Sequence, residues 1–285
     1  MNTSAPISVV GATGQQGSAV VDALLDRNIA VRALTRNPDS EAARALAQRG
    51  VEVVAADLEA PDSLRSAFEG AAAAFAMATM AGPAGVEGEV AQGKAIGEAA
   101  QAAQLPFLVY SSVGGAERHS GVPHFESKRR VEQFLSGLLP LNIVRPTFFM
   151  ENLPYMMSRD GEQWSVQMPM PGDVPLQMIS VRDIGKAAAA LLAQRDPDTA
   201  PVEIAGDEVT GQQIAELLGQ RVGAPARFVE LPLDSLGDDE DLGAMYAWFT
   251  KLPAYRADFV RTRELVPDVQ NLSTWLQHQS RLGEP

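Results

Sequence analysis

The sequence predicts an α/β fold, a doubly wound parallel sheet followed by a smaller α+β C-terminal domain. Between residues 7 and 145, short apolar runs alternate six times with stretches of helical periodicity, as in a parallel sheet covered on both faces. A turn punctuated by glycines separates the first run from the first helix. After Pro146 the alternation fades, and prolines and methionines become frequent. We therefore expect one domain over 1–150 and a second over 151–285, with some later segments returning to the first.

The predicted elements follow one another with short connections. Apolar runs predict strands at 7–10, 30–35, 51–55, 73–78, 106–110 and 141–145. Helical periodicity predicts helices that start near 15 and 38, and others over 61–68, 85–103 and 124–136. Asn37 is the expected cap of the second helix, with Pro38 as its first residue. Two later helix starts carry capping signals, Ser180 with Asp183 and Thr210 with Gln213.

Composition excludes several classes of function. The 285 residues are 46% hydrophobic and 21% charged, as in an ordinary globular protein. A net charge of −13 argues against direct nucleic-acid binding, which depends on clustered lysine and arginine. The absence of cysteine removes disulfides, thiolate metal sites and cysteine nucleophiles. His119, His124 and His278 form no metal-ligand spacing, so we expect no metal site.

The sequence also argues against a membrane location. The N-terminus lacks a basic region, and the longest apolar run, 71–81, is shorter than the roughly 18 residues that a membrane span needs. We expect a cytoplasmic protein with no membrane partner, whose oligomeric state stays open. The acidic run 238–241 is expected to be a solvated loop. The aromatic segment 245–249 is expected to be core, with a pocket or partner groove as the alternative.

The most informative segment is the turn Gly11-Ala12-Thr13-Gly14-Gln15-Gln16-Gly17. Gly11 lets the chain turn off the strand, Gly14 lets backbone approach a phosphate, and Gly17 lets the helix lie close to the sheet. The free N–H groups at the helix start would face the anion. This context predicts a dinucleotide site, with a merely structural turn as the alternative. The expected cofactor-binding residues here are Gly11, Thr13, Gly14, Gln15, Gln16 and Gly17.

Residues after the second and third strands indicate which dinucleotide binds. NAD-selective sites place an acidic residue after the second strand, but this chain has Arg36 there, preceded by Thr35. A guanidinium at this place suits the 2′-phosphate of NADP, so we expect NADP(H) to be preferred and NAD(H) to be possible. The alternative is that Arg36 only faces solvent. Asp57 is a candidate to accept from the adenine amino group, or is a loop carboxylate.

Several segments share a pattern beyond the glycine turn: Thr35-Arg36-Asn37-Pro38, Val109-Tyr110-Ser111, Pro123-His124-Phe125-Glu126-Ser127-Lys128, and the stretch from Arg145 to Leu153. With 171–175 and 272–276, they resemble the NmrA-like family of atypical short-chain dehydrogenases. The resemblance spans most of the chain. It implies a Rossmann domain with a small C-terminal domain and a preference for NADP(H). Members of this family divide between redox sensors or regulators and NADPH-dependent reductases.

The resemblance also bears on catalysis. Short-chain dehydrogenases use a Tyr-x-x-x-Lys pair, in which tyrosine donates a proton and lysine holds the nicotinamide ribose. Here Lys128 is in place as the expected ribose ligand, but His124 stands where the tyrosine would be. Imidazole titrates near neutrality, so His124 is a candidate acid, although a cationic lysine one turn away disfavours its protonated form. The alternative is a packed or solvent-facing ring.

The remaining candidate residues follow the fifth and sixth strands. Ser111, with Ser112 beside it, is placed to contact the nicotinamide ribose or a substrate carbonyl, or else forms a turn. Phe148 and Asn152 are expected to border the nicotinamide, with Phe149 nearby, although the phenylalanines suit a core equally well.

Two functions remain open from the sequence. The missing tyrosine favours a dinucleotide-sensing regulator with weak or no turnover, which would bind NADP(H) and change its affinity for a protein partner. The alternative is an NADPH-dependent reductase of a small quinone or unsaturated carbonyl compound, with Lys128, His124 and Ser111 as the catalytic residues.

Overall fold

The computed structural model describes residues 5–279 and residue 282. Its strands are β1 (Ile7–Val10), β2 (Val31–Thr35), β3 (Glu52–Ala55), β4 (Ala73–Ala76), β5 (Leu108–Ser111), β6 (Leu141–Pro146), β7 (Phe148–Phe149), β8 (Met157–Asp160), β9 (Gln163–Met168), β10 (Pro175–Ile179), β11 (Val202–Ile204), β12 (Asp207–Thr210) and β13 (Ala226–Glu230). Its α-helices are α1 (Gln15–Leu25), α2 (Glu41–Gln48), α3 (Pro61–Phe68), α4 (Gly85–Ala102), α5 (Pro123–Leu135), α6 (Val181–Gln194), α7 (Gly211–Val222), α8 (Glu240–Phe249), α9 (Phe259–Leu265) and α10 (Leu272–His278). Short 3₁₀ helices lie at Ala116–Arg118, Met150–Met156 and Leu233–Leu236.

The central sheet is parallel and contains seven strands in the order β11-β6-β5-β4-β1-β2-β3. The chain builds outward from β1 to β3, then returns to build β4, β5 and β6 on the other side of β1. Ile7 of β1 accordingly lies beside Val31 on one side and Ala73 on the other. The strand order reverses between β1 and β4, where the carboxyl ends of such a sheet leave a crevice for ligands. This topology confirms the predicted fold class.

Helices cover both faces of this sheet. On one face α1 packs against α6, and Val20 and Ile184 belong to the same buried cluster. Gly185 permits this close approach, because a Cβ atom there would lie 2.4 Å from the backbone of Ala19. On the other face α3, α4 and α5 bury Phe68, Ile96 and Leu135 against the sheet. The central sheet is therefore held between two packed helical layers.

The second half of the chain adds a smaller α+β unit. Its two three-stranded sheets have the orders β12-β10-β7 and β13-β9-β8. They share a buried cluster with the aromatic residues of α8, including Trp248 and Phe249, and with Trp275 of α10. The segment 245–249 thus packs as core. Strand β11 leaves this unit and pairs with β6 of the central sheet, with Val202 beside Val144.

Local signals set the helix starts, with one error. Both later capping predictions are confirmed, since Ser180 and Thr210 cap α6 and α7 through their side chains. The predicted start of α2 is wrong. Ser40 caps it by accepting the N–H of Ala43 at 3.2 Å, whereas Asn37 accepts the N–H of Asp39 at 3.1 Å. Asn37 and Pro38 therefore form a turn before the helix instead of its first residues.

Neither a membrane span nor a metal cluster occurs in the part of the chain that the structure describes. No helix within these residues is both long and apolar enough to cross a bilayer. No three of their histidine, aspartate and glutamate side chains come together in a way that could hold a metal ion. The histidines lie apart, with His119 in a loop, His124 in the first turn of α5 and His278 at the end of α10.

Candidate functional site

The glycine turn between β1 and α1 is built around two positions that exclude a side chain. Gly11 has a positive φ of 64°, which glycine adopts without strain. Its carbonyl oxygen accepts the N–H of Gly14 at 2.9 Å, which closes the turn. A Cβ atom on Gly17 would lie 2.1 Å from that same oxygen. Helix α1 can therefore approach the strand only because residue 17 is glycine.

The first turn of α1 is open to a ligand. Gly14 is the N-cap, with extended backbone, and no side chain among the described residues accepts a hydrogen bond there. The first turn also carries no acidic residue. A helix begins with N–H groups that have no partner within the helix, and these carry a partial positive charge. The turn thus offers uncapped amides and no competing negative charge to an anion.

Side chains tie this turn to the neighbouring strand ends. Ser111, at the end of β5, donates from Oγ to Oε1 of Gln16 at 2.7 Å. The hydroxyls of Thr13 and Thr35 lie 3.5 Å apart, and Thr35 also accepts the N–H of Asn37 at 3.3 Å. The ends of β2 and β5 are therefore bound to the turn and the helix start between them. The fold thus brings Ser111 and Gln16 together at the crevice, a contact that the sequence alone does not predict. The Oγ atom of Ser112 is buried without a hydrogen bond among the described residues.

Arg36 and Asp57 lie at the carboxyl ends of β2 and β3. Arg36 is exposed, and no side chain in residues 5–279 forms a hydrogen bond or ion pair with it. The Oδ1 atom of Asp57 accepts the N–H of Glu59 at 3.0 Å, as in an Asx turn. Asp57 is half-buried, and its Oδ2 atom has no hydrogen-bond partner in the described structure. Both charges are thus available at the edge where an adenosine would lie.

Lys128 lies at the carboxyl end of β4, where it is already engaged. Its side chain reaches from α5 to Ala78, just beyond β4, and Nζ donates to the Ala78 carbonyl at 2.5 Å. Nζ also forms an ion pair at 3.0 Å with Oε1 of Glu89 on α4. Glu89 is 2% exposed and accepts a second hydrogen bond from Ser127. The ammonium is therefore neutralised by a buried carboxylate beside the crevice.

Glu89 is a functional neighbour that the sequence reasoning missed. A signal existed, because Glu89 falls on the apolar stripe of α4 with Val90, Gly93 and Ile96, all of them buried. A carboxylate on the buried stripe of a helix needs a cation or several donors. That requirement points to Lys128 and Ser127 only once α4 and α5 are known to be adjacent.

A tyrosine lies near Lys128, although not in the helix position of the short-chain dehydrogenases. The ring of Tyr110 on β5 has its centroid 5.6 Å from Nζ of Lys128. Its hydroxyl is buried beside the backbone of Ala78. Burial, together with the negative charges of Glu89 and Glu132, raises the pKa of Tyr110 well above its ordinary value. This phenol stays protonated and enclosed in the core.

His124 is held by a residue from the other half of the chain. Its Nδ1 atom lies 2.6 Å from Oδ2 of Asp241 at the start of α8. The backbone N–H of His124 donates to the other oxygen, Oδ1, at 2.9 Å. Burial alone would raise the pKa of Asp241, but the hydrogen bonds and charge of His124 lower it below its ordinary value. Asp241 is therefore an ionised partner for the ring.

The expectation that 238–241 is a solvated loop is wrong for its last two positions. Helix α8 starts at Glu240, and Asp239 caps it by accepting the N–H of Leu242 at 2.9 Å. Asp241 faces α5 in the first turn, and its side chain is only 14% exposed. An acidic run before an aromatic segment is typical of a helix start, and that signal identifies the cap but not the histidine partner.

The positions after β6 separate into core and cleft. Phe148 is 4% exposed and meets Phe249 edge to face, with ring centroids 6.1 Å apart. Phe149 and Asn152 are half-buried, and no side chain or backbone group in the described chain hydrogen-bonds to the Asn152 amide. Glu151, between them in sequence, accepts from Nε1 of Trp275 at 3.0 Å and from the N–H of Val181 at 3.0 Å. Asn152 is thus the more available of the two predicted nicotinamide neighbours.

A buried ion network fixes the loop that follows β5. Arg145 on β6 binds Glu132 of α5 with two hydrogen bonds of 2.9 and 2.7 Å. Its third nitrogen, Nη1, lies 2.7 Å from Glu117 in the loop. Arg118, next in that loop, binds Glu203 of β11 with hydrogen bonds of 2.9 and 3.0 Å. The loop leading into α5 and His124 is therefore attached to two strands of the central sheet.

The residues present fit a dinucleotide. Uncapped amides at α1 suit a diphosphate, and the unpaired guanidinium of Arg36 suits a further phosphate on the adenosine side. Ser111 at the end of β5 and the Lys128 ammonium just past β4 lie at the other end of the crevice, and His124 stands one helical turn before Lys128. The arrangement can bind a nucleotide across the sheet edge and bring a second molecule against its far end.

Comparisons with known proteins agree with this geometry. The model of the NmrA-like family matches residues 3–276 of the chain. The chain is 30% identical over 233 residues to the NAD(P)H azoreductase of Xenophilus azovorans, a match that covers 80% of this chain and 78% of the azoreductase.

Solved structures share the fold. NmrA, a negative transcriptional regulator crystallised with NAD, superposes with a TM-score of 0.83 at 20% identity, covering 97% of this chain and 95% of NmrA. The NADPH-dependent quinone oxidoreductase QOR2 of Escherichia coli, crystallised with NADPH, superposes with a TM-score of 0.78 at 23% identity. That match covers 95% of this chain and 99% of the oxidoreductase.

Proposed function

This chain belongs to the NmrA-like family, and from that premise we propose that it binds NADP(H) and reduces a small conjugated acceptor. The observation that carries the proposal is the uncapped glycine turn at α1, with the unpaired guanidinium of Arg36 at the next strand end. Amides and a guanidinium placed in this way recognise two separate phosphate groups, which NADP(H) has.

The preference for NADP(H) over NAD(H) rests on charge at the end of β2. An acidic residue there would accept from the ribose hydroxyls and repel a 2′-phosphate, but the chain has Arg36 followed by Asn37. A guanidinium binds a phosphate through two parallel hydrogen bonds. NAD(H) keeps the diphosphate contacts and loses this one, so it remains a weaker ligand.

Reduction of a small acceptor is supported by what surrounds the other end of the crevice. When bound, NADPH supplies a hydride. We expect Lys128 and Ser111, which lie at the ends of β4 and β5, to contact the nicotinamide ribose, and Asn152, whose amide has no partner among the described residues, to border the nicotinamide. The azoreductase and the quinone oxidoreductase that the chain resembles are named for azo and quinone acceptors. An azo compound, a quinone or an unsaturated carbonyl is therefore the acceptor class that we propose.

A dinucleotide-sensing regulator is the second candidate. The observation that favours it is the engagement of Lys128 with Glu89 and the Ala78 carbonyl, which leaves the ammonium less free for a ribose. NmrA, which has the same fold, is described as a negative transcriptional regulator. In this alternative, NADP(H) binds at the same crevice and no hydride leaves it.

Binding and turnover measured on the same preparation separate the two candidates. We expect calorimetry to give tighter binding of NADPH than of NADH. We expect NADPH absorbance to fall steadily when menadione or the azo dye methyl red is added. Tight binding without turnover of any acceptor in a panel of quinones, enones and azo dyes would favour the regulator. No binding of either nucleotide would overturn both.

A test of the role of Lys128 needs a variant that does not leave the buried carboxylate of Glu89 without its cation. Lys128→Ala alone takes from the buried Glu89 carboxylate the cation that pairs with it, and breaking such a pair costs about 3–5 kcal/mol, which would confound folding with function. Lys128→Met combined with Glu89→Gln removes both charges. We expect this pair to fold and to lower NADPH affinity, and Glu89→Gln alone, which frees the ammonium, serves as its control. Unchanged affinity in the double variant would show that Lys128 serves only to join α5 to β4.

A further inference from the structure

We propose that Asp241 and His124 form a proton-delivery pair, in which Asp241 is the positioning residue and Nε2 of His124 gives the proton to the reduced acceptor. The inference rests on the proposed reductase function and names the proton source that the missing tyrosine leaves open. This residue pair connects the two halves of the chain, because α5 belongs to the nucleotide-binding half and α8 to the smaller unit.

The geometry fixes which ring nitrogen is free. The carboxylate of Asp241 accepts two hydrogen bonds from His124, one from the backbone N–H at 2.9 Å and one from Nδ1 at 2.6 Å. An ionised carboxylate only accepts, so Nδ1 carries its proton toward α8 in every protonation state of the ring. Nε2 is then the nitrogen that can gain or lose a proton, and no described residue hydrogen-bonds to it. The His124 side chain is 22% exposed, so this nitrogen can exchange protons with solvent.

His124 lies one helical turn before Lys128, whose ammonium reaches the strand ends at the crevice. It is the second residue of α5, whose next turn carries Lys128 to the Ala78 carbonyl at the end of β4. The loop before it leaves β5 at Ser111 and Ser112. The ring of Phe125 meets the imidazole edge to face at 4.6 Å and in turn packs on Trp248. His124 thus packs against the aromatic core through Phe125.

Charged side chains lie near His124 on its own helix and on α8. Lys128, one turn along α5, is paired with Glu89 of α4, since its ammonium lies 3.0 Å from that carboxylate. Glu126 lies on the same turn as His124 and accepts the N–H of Gly121 at 3.2 Å. Asp241 of α8 is the charge in direct contact with the ring. The neighbouring ammonium is therefore compensated by a buried carboxylate.

The chemistry balances with one proton from this pair. Hydride addition to one atom of a C=O or N=N bond leaves a negative charge on the other, which takes the proton from Nε2 as NADPH leaves as NADP⁺. The neutral ring keeps its proton on Nδ1, hydrogen-bonded to Asp241, and Nε2 regains its proton from solvent at the exposed edge of the ring. General acids of this kind contribute about 10²–10⁴-fold to rate.

The first test needs no activity. We expect ¹⁵N spectra of the ligand-free protein at high pH to show His124 as the Nδ1–H tautomer, with the signal assigned by its loss in His124→Gln. Asp241→Asn removes the charge that fixes the tautomer, so the spectrum of this variant shifts to a mixture of both tautomers. A matched control is Asp238→Asn, in the same acidic run but outside the contact, which leaves the spectrum unchanged. An Nε2–H tautomer in the wild type would overturn the proposal.

The second test uses turnover of methyl red, where the new N–H bond needs a proton. We expect His124→Gln to lower kcat about 100-fold and Asp241→Asn about tenfold, with NADPH affinity unchanged in both. The rate of Asp241→Asn should also begin to fall at a lower pH than that of the wild type, and Asp241→Glu should recover part of the rate. A purely structural pair would change unfolding and leave the pH profile in place.

The outcomes distinguish this inference from the function on which it rests. If the wild type binds NADPH but reduces no acceptor, the proposed function fails, and the tautomer experiment still decides the geometry of the pair. If methyl red is reduced and neither His124→Gln nor Asp241→Asn changes kcat or its pH profile, the reductase stands and the proton-delivery pair is overturned.

Discussion

Gly17 lies under the carbonyl of Gly11 with no room for a methyl group. We predict that Gly17→Ala lowers the free energy of unfolding by about 1–3 kcal/mol, because the added Cβ would lie 2.1 Å from that oxygen and α1 must move away from β1. The same displacement should abolish NADPH binding. Urea denaturation and calorimetry measure the two effects. Gly137→Ala is the control, since a Cβ at Gly137 meets nothing within 4 Å. Unchanged stability and unchanged NADPH binding in Gly17→Ala would contradict this prediction.

We expect Arg36 to act on the choice between the two nucleotides. We predict that Arg36→Ala weakens NADPH binding about tenfold or more and leaves NADH binding nearly unchanged, because only NADPH carries the 2′-phosphate that a guanidinium would bind. Parallel titrations with the two nucleotides give the ratio. Arg227→Ala, which removes an exposed arginine from β13 in the smaller unit, controls for net charge. Equal affinity of the wild type for both nucleotides would remove the basis for this prediction.

Single residues were predictable where their reason is local. The need for glycine at 11 and 17 follows from one turn, and both positions are as constrained as the sequence suggested. The partners of Lys128 and His124 were not predictable, because Asp241 lies 117 residues from His124 along the chain. A carboxylate so far away carries no spacing signal, and only the packing of α8 on α5 reveals it.

Among the elements, α5 and β6 are joined by the buried pair of Glu132 and Arg145, both largely withdrawn from solvent. Burial alone would lower the pKa of Arg145, but the hydrogen bonds and charge of Glu132 raise it above its ordinary value. We predict that Arg145→Met alone lowers the free energy of unfolding by about 1.5–3 kcal/mol, because the buried Glu132 carboxylate loses both hydrogen bonds from Arg145 and keeps only the one from Arg129 at 3.1 Å. Combining it with Glu132→Leu should restore a large part of that loss.

Urea denaturation of the single and double variants measures this coupling. Arg130→Met is the control on the same helix, since its pair with Glu87 is exposed and such pairs contribute about 0–1 kcal/mol. A double variant as unstable as the sum of its two single variants would mean that Glu132 and Arg145 act independently.

Element types followed from periodicity, and their ends followed from local chemistry. Every predicted strand of the first half occurs, and Ser180 and Thr210 mark true helix starts. The start of α2 was misplaced because Asn37 and Ser40 both suit a cap, and the local pattern does not say which one turns the chain. The return of β11 to the central sheet could be expected only in general terms, because a three-residue strand has little periodicity.

For the whole molecule, pH acts on stability through two carboxyl groups whose pKa values shift in opposite directions on folding. Asp183 is fully buried, and burial raises its pKa above the ordinary value. The folded protein therefore binds this proton at a higher pH than the unfolded chain, whose aspartates titrate near about 3.9. The stability that Asp183 contributes is fully present below the unfolded pKa and is lost as pH rises through the folded pKa. We predict that acidification from about pH 7 to about pH 4 stabilises the wild type relative to Asp183→Asn.

Asp268 provides the matched control. Hydrogen bonding from Lys186, with the charge of Arg182, lowers the pKa of this exposed carboxyl. Its contribution is present above the unfolded pKa and is lost as pH falls through the folded pKa, so its variant should differ from the wild type in the opposite direction. Thermal unfolding of wild type, Asp183→Asn and Asp268→Asn from about pH 7 to about pH 3 measures both. Parallel curves for wild type and Asp183→Asn would show that Asp183 titrates alike in the folded and unfolded states.

The topology of the whole molecule limits how this protein can be divided. Strand β11 is made after the chain has left the first half, yet it completes the central sheet beside β6, while α6 covers α1. A fragment that stops after β6 would present an unpaired strand edge and an uncovered apolar helix, which are features that promote aggregation. The first half of the chain is therefore not expected to fold when it is separated from the second. Grafting or recombination between relatives should respect an indivisible unit that extends past β11.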